Sequence, residues 1–195
     1  MSKNLEILQA AVNFVCNWFD GKLTGTAKYA GNHIELRFNG YALYPTGKRG
    51  DVIIRLPSDY ITVSSGGIKY RPISQREVGF FQETVGTAFI HPHVWPSGQP
   101  CWDNQQRKSI VDLFVNFLNT MLYTNANAHS LQEGKPCPGS KMVEGDHSWI
   151  LREVAKQKEN LQTKMGLPRD IFDTKFFNVK FARDIEAAQR DIMKR

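Results

Sequence analysis

Glycine-bearing turns recur through the first third of this chain at intervals too short for a helix: Gly31-Asn32, Gly40, Gly47, Gly50 and the run Ser64-Ser65-Gly66-Gly67. The stretches between them, 27–29, 34–38, 52–56 and 68–73, read as strands, because their branched and aromatic side chains suit a pleated surface and each is bounded by turn residues. Short strands joined by tight turns pair with their sequence neighbours, so the expected arrangement is an antiparallel meander.

Helices flank it. Residues 4–19 carry Leu5, Leu8, Val12, Val15 and Phe19 at three- and four-residue steps and stop at Asp20-Gly21, the spacing of an amphipathic helix. Ile110, Leu113, Phe114, Phe117, Leu118 and Met121 repeat the pattern behind a Ser109-x-x-Asp112 capping signal, which predicts a buried helix. Residues 125–140 are polar and small and read as a loop, and 147–165 as a helix ended by Gly166 and Pro168. Phe176, Phe177, Val179 and Phe181 form an apolar contact segment ahead of a charged helix from Arg183 onward. The expected class is α+β, with an antiparallel sheet packed by helices in residues 1–140 and a helical extension in 141–195 that docks on the core or on a partner.

With 195 residues and 41% hydrophobic content, the chain has enough apolar surface for a packed core. Its longest apolar run, 5–19, is interrupted by Glu6, Gln9, Asn13 and Asn17, and no secretory leader pattern precedes it, so a membrane span is not expected and a cytoplasmic location is. The net charge of +6 is spread along the sequence rather than gathered in a basic block, so no nucleic-acid partner is expected. Cys16, Cys101 and Cys137 are odd in number, distant and without Cys-x-x-Cys spacing, which argues for reduced thiols and against a disulfide framework or a structural zinc site. Neither metal nor organic cofactor is implied.

The chemistry concentrates in His91-Pro92-His93-Val94-Trp95-Pro96-Ser97-Gly98-Gln99-Pro100-Cys101-Trp102-Asp103-Asn104. A strand is expected at 84–90, after which Pro92, Pro96, Gly98 and Pro100 forbid regular structure. Cys101 therefore stands on a shaped loop behind two histidines, a setting for a nucleophile. Cys16, among apolar helix positions, reads as core, and Cys137, between Pro136 and Pro138, as an exposed loop residue.

This stretch resembles the signature of the ubiquitin-conjugating enzymes, in which His-Pro-Asn is followed by the acyl-carrying cysteine eight residues after the asparagine. His91 and Pro92 match, His93 occupies the asparagine position, Cys101 falls eight residues later, Ser97-Gly98 stands where the family turns before its cysteine, and Trp102-Asp103 is similar to the family's Cys-Leu-Asp continuation. The likeness covers roughly residues 1–130 and is sharpest at 89–103. Three features depart from the pattern: His93 itself, the missing Trp-Ser-Pro after the cysteine, and a C-terminal third without counterpart. The compact His-Pro-His form looks like bacterial relatives found with ubiquitin-like modifiers, often in antiviral defence.

The resemblance implies a carrier that takes a ubiquitin-like modifier from an adenylating activating enzyme as a thioester on Cys101 and passes it to an amine on an acceptor protein. A thiol suits that task because it is both nucleophile and leaving group, although with a pKa of about 8.5 only a minor fraction is thiolate at neutral pH. His93 would support the oxyanion as the family asparagine does, since an imidazole N–H also donates. His91, Pro92, Trp102 and Asp103 would support the loop, with Trp95 and Trp102 flanking the thioester. An ungapped comparison from Met121-Leu122 puts the family's gating acidic position on His129. Two other functions fit the same residues: a modifier-binding module of this fold that carries nothing, and a thiol hydrolase pairing Cys101 with His93 or His91.

Overall fold

The computed structural model describes residues 1–18, 23–41, 49–83, 98–100, 102, 105–122 and 174–195. Helix α1 (Lys3–Trp18) is followed by strands β1 (Leu23–Ala30), β2 (His33–Tyr41) and β3 (Arg49–Pro57), the hairpin β4 (Ile61–Ser64) and β5 (Gly67–Tyr70), a 3₁₀ turn (Gln75–Glu77) and β6 (Gly79–Glu83). Helices α2 (Ile110–Leu122) and α3 (Thr174–Met193) complete the described elements. The sheet is antiparallel in the order β1-β2-β3-β6, so the first three strands are a meander and β6 joins it after the separate β4-β5 hairpin. An antiparallel sheet with helices against it makes the class α+β.

Side-chain alternation decides which face the helices cover. Ile34, Leu36 and Phe38 of β2 and Val52, Ile54 and Leu56 of β3 are all buried in one core with Ile7, Leu8, Val12 and Val15 of α1 and Leu113, Phe114 and Phe117 of α2. Two features of β1 let α1 lie close. A Cβ on Gly25 would overlap Val12 Cγ1 and fall 3.0 Å from Cys16 Sγ, so only glycine fits beneath the helix. Gln9, read from sequence only as a break in the apolar run, donates from Nε2 to the Gly25 carbonyl (2.8 Å) and accepts the Ala27 N–H on Oε1 (2.8 Å). Its amide thus satisfies two backbone groups of β1, which lies at the edge of the sheet among the described residues.

The opposite face carries an ion cluster laid out by register. Lys28 pairs with Glu35 across β1-β2, and Glu35 with Arg55 across β2-β3. The buried Glu35 carboxylate lies 3.3 Å from Lys28 Nζ, 3.2 Å from Arg55 Nε and 3.3 Å from His33 Nε2. Burial alone would push this carboxyl up, but hydrogen bonds from His33, Lys28 and Arg55, with the Lys28 charge added, hold it below its ordinary 4.5. A depressed folded-state pKa stabilises fully above the unfolded value, and the contribution fades as the pH falls through the folded one. Glu35→Gln is therefore expected to cost about 1–2 kcal/mol at pH 7. The gap in urea midpoint between the two proteins should close as the pH is lowered toward 3; a gap constant with pH would remove the carboxylate from the explanation.

Several sequence expectations meet corrections. Strand β1 is longer than 27–29, because its outward Thr24, Thr26 and Lys28 alternate with inward Leu23, Gly25 and Ala27 without a period-two break. The strand expected at 68–73 ends at Tyr70, and Pro72, with no N–H to donate, separates it from Ile73, which forms an isolated bridge with Arg107. Strand β4 is not among the expected strands; Ser64 pairs with Gly67 around a two-residue turn, so the turn expected at Ser64-Ser65-Gly66-Gly67 is the tip of the β4-β5 hairpin. Strand β6 precedes the segment 84–90, which lies outside the described residues, as do the loop 125–140, the helix 147–165 and the expected boundary near residue 140.

Helix α3 begins at Thr174, so 176–181 is helical rather than a separate contact segment ahead of Arg183. Its four-residue spacing Phe177, Phe181, Ile185, Gln189 is continuous in the sequence, which is the helical reason. The helix packs on α1 and α2. Ile185 is 2% exposed within the core, and Gln189 Nε2 donates to the Tyr70 hydroxyl at 2.6 Å, tying the end of the chain to the β4-β5 hairpin.

Candidate functional site

The chain reaches Cys101 through residues 98–100 and leaves it through Trp102, and these two flanks are described; His91, Pro92, His93, Cys101, Asp103, His129 and Cys137 lie outside the described residues. Gly98 is buried with φ +83, a left-handed conformation that disfavours any Cβ, while Ser97, the other half of the turn expected there, lies outside the described residues. Its carbonyl accepts the Phe80 N–H at 2.5 Å, which hangs the incoming flank on β6. Pro100 is buried too.

The outgoing flank is held more tightly. The Trp102 N–H donates to Gln75 Oε1 at 3.1 Å. The indole packs edge-to-face on Phe80, with centroids 5.3 Å apart, and the Arg107 guanidinium lies 4.8 Å from its ring centre. Arg107 is buried, at 5% exposure; its Nη2 donates to Asn116 Oδ1 of α2 at 3.1 Å and its Nη1 to the Gln105 carbonyl. The same residue exchanges backbone hydrogen bonds with Ile73 at 2.8 and 3.0 Å, which sets the post-cysteine chain beside the segment leading into the 3₁₀ turn. Trp102 is thus partly buried between a strand residue and a cation.

Sequence inspection passed over the turn that meets both flanks. Ser74-Gln75-Arg76-Glu77 has the Ser-x-x-Glu form of a capping box, a signal legible in the residues but not used. Glu77 accepts from the Ser74 backbone N–H (3.0 Å), the Ser74 hydroxyl (3.3 Å) and Arg71 Nη1 (2.7 Å), while Arg71 Nε lies 3.0 Å from Asp59 Oδ2. Those hydrogen bonds, the backbone one first, hold the Glu77 carboxyl below the usual carboxylate range. At α2 the Ser109 hydroxyl accepts the Asp112 N–H at 3.1 Å, and Asp112 returns to the Lys108 N–H at 3.3 Å rather than to that of Ser109. The helix that carries Asn116 is therefore capped where the post-cysteine chain enters it.

The one cysteine among the described residues is chemically quiet. Cys16 is buried in the core, and burial pushes its thiol up to about 11, leaving almost no thiolate at neutral pH. Among the described residues no group of three or more His, Cys, Asp or Glu side chains is placed to hold a metal, and no helix is long and apolar enough to cross a membrane. No family model matches the chain, and neither a curated protein nor a solved structure matches it.

Proposed function

We propose that this protein is a ubiquitin-conjugating-enzyme-like carrier: Cys101 accepts the C-terminal carboxyl of a ubiquitin-like modifier from an adenylating enzyme as a thioester and yields it to an amine. The observation that carries this reading is the His91-Pro92-His93 spacing to Cys101 on a loop whose two flanks are anchored to an α+β core. The antiparallel sheet stands before the cysteine and a capped helix after it, the element order that the resemblance implies. With the Cys16 thiol buried and raised, the cysteine for such chemistry is Cys101 or Cys137, and of these Cys101 stands eight residues after His91-Pro92-His93. The associated setting would be bacterial antiviral conjugation, with His93 donating to the oxyanion and His129 near the incoming amine.

Incubating the full chain with a ubiquitin-like protein ending in glycine, its adenylating enzyme and ATP tests the reading. A reductant-labile adduct mapped to Cys101 is the expected result. Stable complex formation without an adduct would instead make the protein a binding module, and release of free modifier from a supplied thioester would make it a thiol hydrolase.

A further inference from the structure

Resting on the reading of Cys101 as an acyl carrier, we propose that the Gln75–Glu77 turn is the device that positions this nucleophile, with Gln75 as its positioning residue. Two consecutive residues of the turn reach the chain on opposite sides of the cysteine. Gln75 Oε1 accepts the Trp102 N–H, which belongs to the peptide bond joining Cys101 to Trp102, and the Arg76 carbonyl accepts Gln99 Nε2 at 3.5 Å. Because the Glu77 carboxylate ties the turn to Ser74 and to Arg71, and Arg71 ties it to Asp59, the turn is braced from behind. Phe80 and Arg107 hold the Trp102 ring, so the amide that Gln75 receives cannot swing away without moving the indole.

In the reaction, the Cys101 thiolate attacks the donor's thioester carbonyl, a new carbon–sulfur bond forms as the donor's breaks, and the departing thiolate takes a proton from water. That step needs the carbonyl oxygen seated against its donors, whereas alkylation by iodoacetamide needs only an accessible thiolate. Loss of positioning therefore separates the two rates. The full chain, Gln75→Ala and Gln75→Glu are each treated with a glycine-ending peptide as its mercaptoethanesulfonate thioester, and in parallel with iodoacetamide, and modification of Cys101 is followed by mass spectrometry.

The expected result is a fall in Cys101 acylation on the order of ten-fold or more in Gln75→Ala, set by displacement of the nucleophile. Alkylation should stay within about two-fold of the parent, and Gln75→Glu, which keeps an acceptor oxygen, should recover most of the acylation. Equal acylation in the parent and Gln75→Ala overturns the positioning role and leaves the carrier reading standing. A parallel fall of acylation and alkylation also overturns it, since Gln75 would then act only on folding or thiol ionisation. Absence of acylation at Cys101 in the parent chain overturns the carrier reading and this role with it.

Discussion

Cys101→Ala is expected to abolish the reductant-labile adduct of the proposed carrier, and Cys101→Ser to replace it with a reductant-resistant oxyester that discharges slowly, because an alkoxide is a far poorer leaving group than a thiolate. Cys16→Ser and Cys137→Ser should retain the labile adduct. For Cys16 the reason is in the structure: its sulfur is buried under α1 and its thiol lifted to about 11. The discharge step isolates the neighbouring histidine. His93→Ala should lower transfer to an amine on the order of 10²-fold, the usual cost of removing an oxyanion donor, while charging suffers less. His93→Asn, with a side-chain N–H of its own, should transfer substantially faster than the alanine variant. Gel-resolved charging and lysine discharge, with and without reductant, measure all of these. Loading that persists in Cys101→Ala would remove the nucleophile assignment, and equal discharge by His93→Ala and His93→Asn would reduce that side chain to filler.

Phe117→Ala is expected to destabilise the fold by about 3–5 kcal/mol, the cost of a large cavity in a core that cannot fully collapse. Phe117 is fully buried; its ring stacks on Phe38 of β2 at 5.6 Å and meets Phe80 of β6 edge-to-face at 5.3 Å. Phe80 in turn carries Trp102, so one line of aromatic contacts runs from the middle of the sheet to the residue that follows Cys101. The substitution should lower the urea midpoint and also raise the susceptibility of the outgoing flank to proteolysis near Trp102. Phe117→Leu, which keeps most of the volume, should cost clearly less. A loss below about 1 kcal/mol for the alanine variant would mean that the site collapses and that the aromatic line transmits nothing.

Much of the architecture is legible in the residues one at a time, for a physical reason: helix and strand period, turn glycines and caps are local properties. The spacing of Leu5, Leu8, Val12 and Val15 predicts α1, the Ile110 to Met121 repeat predicts α2, and the glycine turns predict the β1-β2-β3 meander. The burial of Cys16 follows from the same periodicity. Element ends are read less well where two local signals compete. Pro72 ends a strand that the apolar pattern carries on to Ile73, and the four-residue spacing through Phe177 and Phe181 extends α3 backward past the charged residues that mark it.

Other features depend on residues far apart in the chain, and no local pattern contains them. Gln9 looks like a polar interruption until β1 lies beside it and presents the Gly25 carbonyl and the Ala27 N–H, and Glu35 looks like a solvated strand residue until register places Lys28 and Arg55 on either side. At the candidate site the division is sharpest. The His91, Pro92, His93 and Cys101 spacing, on which the proposed nucleophile rests, is a property of sequence alone. Gln75 and Arg107 are not announced at all. Each becomes relevant only when the sheet and α2 fold Ile73 against Arg107 and bring a side-chain amide from one segment within 3.1 Å of a backbone N–H from another.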